Sequence, residues 1–302
     1  MTAPPATQRA GRAPYAAALG AMLCWASLAG ALALSLDGVA PEQILFHGML
    51  VAGLALAGAD ALRGRMPWHT WPGLRAAAWG LYGIFGYHAL LVFAFSLAPR
   101  VPANVLNYTW PLWIILLGAG RRLTRPVLLG GLLGLAGVAL VVSGALPGSP
   151  SIDLAQHGAG LGLALGAGFC WGSFTVGLRR TNPQRGKSGP REGSPMAWYC
   201  LLAAAASGLL LMARGGSFAV APAQWPLLAY IGLVPLGIAF ALWDFAARRA
   251  NLQVLGLLSY FTPPLSTGLL ALVTGATLGW PLAAGLALIL AGSAIGGRAL
   301  RQ

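Results

Sequence analysis

The sequence predicts an all-α integral membrane protein, with ten transmembrane helices in two inverted five-helix repeats and both termini in the cytoplasm. Three observations predict it: long apolar runs, basic residues confined to alternate loops, and a motif that recurs halfway along the chain.

Of 302 residues, 57% are hydrophobic and only 8% charged, with a mean hydropathy of +0.72. A water-soluble fold of this size needs far more surface charge. Crossing about 30 Å of hydrocarbon takes roughly 20 apolar residues. Runs of that order, between charged or Pro/Gly breaks, lie near 14–36, 42–60, 74–97, 102–119, 126–145, 157–178, 195–213, 225–247, 253–275 and 280–297. The third and fourth nearly merge around Pro99, Arg100 and Pro102. One helix through those prolines would leave carbonyls unpaired in lipid, so the run is split there. The first run is too long for the apolar core of a signal peptide, and no clean cleavage site follows it, so it is expected to stay in the mature protein.

A net charge of +13 would fit a nucleic-acid binder only if the basic residues gathered on one folded face. Here they mark topology, and no nucleic-acid partner is expected. With the N-terminus inside, the inner segments hold Arg9 and Arg12; Arg63, Arg65 and Arg75; Arg121, Arg122 and Arg125; Arg179, Arg180, Arg185, Lys187 and Arg191; Arg248 and Arg249; Arg298 and Arg301, which is 17 of the 19 basic residues. The outer segments hold Arg100 and Arg214, beside Asp37, Glu42 and Asp153. That asymmetry satisfies the positive-inside rule throughout. A single missed or invented span would exchange inside and outside downstream and destroy it.

Leu19 to Ser27 reads LGAMLCWAS, and Leu165 to Ser173, 146 residues on, reads LGAGFCWGS. A second echo, 152 residues apart, pairs NYTWPL at Asn107 to Leu112 with SYFTPP at Ser259 to Pro264, so that Tyr108 matches Tyr260 and Pro111 matches Pro263. The unit therefore holds five spans, which is odd, so the halves 1–148 and 149–302 are expected to be inverted, with their joint at Ala145 to Ser151. Inverted repeats give two near-equivalent packings, inward-open and outward-open, and are the build of many secondary transporters.

The paired Cys24-Trp25 and Cys170-Trp171 motifs, the proline-bearing fourth and ninth spans, and the glycine-rich last span of each half (Gly130, Gly131, Gly134, Gly137; Gly285, Gly292, Gly296, Gly297) resemble the ten-span, EamA-type members of the drug/metabolite transporter superfamily. The NYTWPLW segment, with Tyr87-His88 before it, is similar to that superfamily's aromatic amino acid exporter branch. The resemblance covers nearly the whole chain. It implies a bacterial inner-membrane exporter of amino acids, above all Phe, Tyr and Trp, working through a cavity between the halves.

Pro111 cannot donate to the Asn107 carbonyl, nor Pro263 to that of Ser259, so each half has a mid-membrane weak point. Freed carbonyls at that depth are tolerated beside protein or a wet cavity. Polar neighbours Asn104, Asn107, Tyr108, Ser259 and Tyr260 point to a cavity; a bend braced by neighbouring helices is the alternative. Trp25 and Trp171 lie mid-span, away from the interfaces where tryptophan usually sits, and are either core or cavity wall. His88 lies well inside its span, where an ionisable group is a functional candidate by default; it is either a substrate or proton contact or a satisfied core histidine. The expected substrate wall is Trp25, Tyr82, Tyr87, His88, Asn107, Tyr108, Trp110, Trp171, Ser259 and Tyr260, with Pro111 and Pro263 as hinges.

Other features have plainer readings. Asp244 precedes Arg248 by one turn and is expected to pair with it. His47 and His157 lie near outer ends and read as interfacial, and Cys24, Cys170 and Cys200 read as packing residues. Gly130-xxx-Gly134, Gly158-xxx-Gly162-xxx-Gly166 and Gly292-xxx-Gly296 read as close-packing faces.

No HExxH, no GxSxG and no paired intramembrane aspartates occur, which disfavours an intramembrane enzyme, and no catalytic residue, cofactor or metal is expected. A structural or partner-binding membrane protein would have little use for mid-span polar groups. Within transport, the only lysine, Lys187, falls in a loop, so no lysine stands at mid-depth to hold a phosphate. The first span lacks a carboxylate for a lipophilic cation. A zwitterionic or neutral small molecule fits best, carried by a monomer in the lipid bilayer.

Overall fold

The computed structural model describes residues 11–28, 31, 35, 38–64, 71–98, 100–119, 123–144, 154–179, 195–274 and 279–300. The expected joint at Ala145 to Ser151 lies outside them, as does most of the basic loop around Lys187. All regular structure among the described residues is helical.

The helices are α1 (Arg12–Ala26), α2 (Pro41–Leu62), α3 (Leu74–Leu97), α4 (Arg100–Asn107), α5 (Trp110–Ala119), α6 (Arg125–Gly144), α7 (Leu154–Gly177), α8 (Met196–Ala213), α9 (Pro222–Arg249), α10 (Leu252–Ser259), α11 (Thr262–Thr274) and α12 (Trp280–Ala299). Six of them, α2, α3, α7, α8, α9 and α12, are long and apolar enough to cross a membrane. Local chemistry fixes several starts. Pro41 sits in the first turn of α2, where its missing N–H costs nothing, and Gln43 accepts the Ala40 N–H at 2.9 Å. Asn251 caps α10 by accepting from the backbone N–H of Gln253 and Val254.

The expected fourth and ninth runs are each broken in two, and the breaks match in detail. Each break stands just ahead of its proline, so Pro111 and Pro263 are the second residues of α5 and α11. A proline is pre-organised for the first turn and breaks the interior, which places the interruption upstream of it. At the first break Thr109 N–H donates to Leu106 O and Trp113 N–H to Thr109 O; at the second, 152 residues on, Phe261 donates to Leu258 and Leu265 to Phe261.

A second matched irregularity is the widened, π-type turn at Leu81–Gly86 in α3 and at Gly232–Ile238 in α9. Such turns leave carbonyls misaligned with the helix ladder and recur at functional sites. The tandem motif residues satisfy one in each: Trp25 Nε1 donates to Pro235 O at 3.0 Å, and Cys170 Sγ to Tyr82 O at 3.1 Å. Thus α1 is tied to α9 and α7 to α3.

Helices α6 and α12 approach most closely. A Cβ on Gly130 would stand 2.5 Å from Gly292 O, one on Gly292 2.5 Å from Gly130 O, and one on Gly137 2.5 Å from Gly285 O. Close backbone approach of this kind needs small residues. The Gly158, Gly162 and Gly166 row, expected to pack, instead meets open space. On α7 the packed glycines are Gly160 against Ala98, Gly168 against Thr109 and Gly172 against Trp113, a face rotated from the expected one.

Candidate functional site

A cavity of about 390 Å³ opens among α1, α2, α3, α7, α9 and the two helix breaks. Its wall is built from aromatic and aliphatic side chains and, among the described residues, includes no Asp, Glu, Lys or Arg.

Trp25 and Trp171 form its floor. Their rings meet edge to face with centroids 5.6 Å apart, and Trp110 and Phe240 each stand 6.4 Å from Trp25. Trp243, fully buried behind them, sits 5.1 Å from Trp25 and is held by its own Nε1–H to Thr175 Oγ1 at 3.1 Å. Edge-to-face pairs set the negative face of one ring against the positive edge of the next, worth about 0.5–1.5 kcal/mol each beyond burial. The mesh fixes ring orientation before any ligand arrives.

Polar groups in the cavity are few. His88 Nδ1 is 2.6 Å from Ile84 O. A carbonyl only accepts, so Nδ1 carries the hydrogen, and in the neutral ring Nε2 is left as an acceptor. Asn107 Nδ2 donates to the Tyr87 hydroxyl at 3.4 Å. Asn107 Oδ1 and Thr262 Oγ1 are buried with no hydrogen-bond partner among the described residues.

Of the expected wall residues, Trp25, Tyr87, His88, Asn107, Tyr108, Trp110 and Trp171 share this cavity. Three lie off it. Tyr82 turns to α7, its hydroxyl 2.8 Å from Ser173 Oγ and its ring 5.0 Å from Trp79. Ser259 bends back to donate to Leu255 O at 2.7 Å. Tyr260 is buried in the α6 and α12 packing, in a core cluster with Val138 and Ile289. Conversely, Phe240, Leu236 and Ile231 of α9 line the cavity and carry no sequence signal beyond hydrophobicity. Thr262 was findable, since it stands 152 residues after Trp110 in the matched segment.

The two ends of the cavity are closed differently. Beyond the ring cluster, Arg179 Nε donates to Ala247 O at 2.8 Å and Arg248 Nη1 to Leu178 O at 2.6 Å, so the ends of α7 and α9 are tied reciprocally. Asp244 holds Arg248 at 2.7 Å, the expected one-turn pair, now with a positioning task. At the opposite end Arg214 pairs with Glu42 and stacks over Phe93, 5.2 Å from its centroid. His47 is buried there between Phe46 and Trp225. Cavity residues Leu28, Pro41 and Phe95 lie towards this second end.

A model described as the EamA-like transporter family matches residues 13–143 and again residues 158–296. An Ancylobacter novellus protein described as an aromatic amino acid exporter, YddG, is 34% identical over 285 residues, covering 91% of this chain and 93% of its own. A Streptantibioticus cattleyicolor protein described as a probable terminal-alkyne amino-acid exporter is 28% identical over 257 residues, covering 81% of this chain and 80% of its own. A solved crystal structure 31% identical in sequence superposes with a TM-score of 0.81, covering 93% of this chain and 95% of that one.

Proposed function

We propose that this chain, which belongs to the EamA-like transporter family of the drug/metabolite transporter superfamily, exports aromatic and other neutral amino acids across a bacterial inner membrane. Both named relatives are described as amino acid exporters, which supports cargo of that class. One observation carries the aromatic preference: a cavity of about 390 Å³ without Asp, Glu, Lys or Arg among the described residues, floored by Trp25 and Trp171, with His88, Asn107, Thr262, Tyr87 and Tyr108 as the polar side chains beside its tryptophans. Its volume is within the range of about 300–1,000 Å³ typical of small-molecule sites. A wall of fixed rings stacks an aromatic side chain, and dipoles without net charge suit a zwitterion better than a lipophilic cation.

Transport proceeds by alternating access between two inverted five-helix repeats, residues 1–148 and 149–302. In this reading α4 with α5 forms one crossing and α10 with α11 another, giving ten in all with both termini cytoplasmic. The matched breaks and matched π-type turns support the repeat, and Pro111 and Pro263 are its hinges. In this reading the arginine ties at Leu178 and Ala247 close the cytoplasmic side. The functional unit in this reading is a monomer, each chain carrying its own cavity.

A counterflow assay in proteoliposomes with radiolabelled Phe, Trp, Thr and a lipophilic cation, with and without a pH gradient, tests the reading. Phe and Trp are expected to exchange fastest and the cation not at all. Exchange of the cation without exchange of any amino acid overturns it. Tagging of the two termini, expected to place both in the cytoplasm, tests the topology.

A further inference from the structure

Two residues on the cavity wall carry a buried oxygen that no described residue satisfies. Asn107 is 4% exposed and Thr262 5% exposed, and neither Asn107 Oδ1 nor Thr262 Oγ1 has a hydrogen-bond partner among the described residues. Both line the cavity. Asn107 Nδ2 donates to the Tyr87 hydroxyl at 3.4 Å, which leaves Oδ1 as the open atom.

The second helix break explains why the threonine oxygen stays open. A serine or threonine inside a helix usually turns back to the carbonyl four residues earlier, as Ser259 does to Leu255. Thr262 has no such ladder: it opens α11, and the carbonyl four residues before it, at Leu258, accepts from Phe261 N–H. Asn107 ends α4 at the corresponding interruption. Buried polar atoms are rarely left unmatched in native structures, and those that are call for a specific explanation.

We propose that these two atoms receive the polar head of the transported amino acid: Asn107 Oδ1 accepts from the ammonium and the Thr262 hydroxyl donates to the carboxylate. This rests on the amino acid cargo argued above and assigns its head-group contacts. Both donors and acceptors here are neutral, so releasing the cargo leaves no uncompensated charge in the wall, and the empty cavity can change access without an ion. The two halves differ where it matters, Trp110 in one and Thr262 in the other at matched positions. A zwitterion has no two-fold symmetry, and its ammonium and carboxylate require different partners. A site that hydrogen-bonds one group of a substrate rejects the analogue lacking it, since its own atoms are then left buried and unpaired.

The test measures inhibition of Phe counterflow by unlabelled Phe, phenethylamine (no carboxylate) and 3-phenylpropionate (no ammonium) in the full-length protein. Wild type is expected to prefer Phe over either analogue by at least about tenfold, the size of one hydrogen bond to a charged group. Thr262→Val is expected to erase the preference over phenethylamine and keep that over 3-phenylpropionate; Asn107→Ala is expected to do the reverse. Thr262→Ser is expected to restore the wild-type ratio. Each readout is a ratio between ligands within one preparation, so a lower yield of folded protein does not move it. If both variants keep wild-type ratios while wild type exchanges Phe, the head-group assignment is overturned and the amino acid reading stands. If wild type exchanges no amino acid, both fall.

Discussion

The indole of Trp25 stands edge-on to that of Trp171, with 5.6 Å between centroids and 79° between planes, although 146 residues separate them in the chain. Each belongs to a copy of the same Cys-Trp motif, and the first also donates its N–H to the Pro235 carbonyl in the π-type turn of α9. The floor of the cavity is thus also where the two motif copies, on α1 and α7, meet.

Trp171→Ala is expected to slow Phe uptake into proteoliposomes about tenfold at equal protein, the loss of roughly 1.4 kcal/mol of stacking. A wild-type rate would remove Trp171 from the wall. In Trp25→Phe the ring is kept and the tie to Pro235 lost, so the defect should appear in the rate of exchange more than in half-saturation.

For His88, the expectation is that replacement by Ala lowers Phe flux while the protein still reaches the membrane in normal amount. The reason is the acceptor at Nε2, which the Nδ1 bond to Ile84 leaves facing a cavity with few polar atoms. Undiminished flux from folded protein would make His88 a satisfied core residue.

Tyr82→Phe gives the opposite expectation. Its hydroxyl bonds Ser173, away from the cavity, so flux should stay near wild type while unfolding costs about 1 kcal/mol less, the net worth of one hydrogen bond. A selective loss of Phe transport at unchanged thermal stability would return Tyr82 to the wall.

Arg248→Ala removes both a tie to Leu178 and the guanidinium beside buried Asp244. Breaking a buried pair by removing one partner typically costs about 3–5 kcal/mol. The variant should melt earlier in detergent and label faster at a cysteine placed beside Leu178. Equal melting and equal labelling would show that the tie does not hold this end shut.

Gly292→Val should lower stability by about 1–3 kcal/mol, the usual cost of overpacking, because its Cβ would meet the Gly130 carbonyl at 2.5 Å. Gly162→Val, with open space around its Cβ, should leave the melting curve unmoved. The pair separates the packed glycine rows from the unpacked one that the same spacing rule had selected.

What the sequence determined by itself were the local and periodic properties. Run length and the lack of charge fixed where long apolar helices lie, because an apolar stretch has no other stable home in lipid. Pro111 and Pro263 marked where two helices break, since each lacks the N–H that would carry the ladder across. The recurrence of LGAMLCWAS as LGAGFCWGS marked Trp25 and Trp171 as a related pair; that their rings meet is a finding of the structure.

Only the tertiary structure decided which side of each helix faces the cavity. Tyr108 and Tyr260 occupy matched positions, yet the first lines the cavity and the second is sealed against α6 and α12. His88 and Phe240, 152 residues apart, both reach the wall, while Tyr82, six residues before His88 on the same helix, turns away. In a soluble helix a polar face would reveal the rotation about the axis. These helices are apolar all round, and lipid, core and cavity wall ask for nearly the same side chains, so rotation is set by which neighbour packs against which glycine.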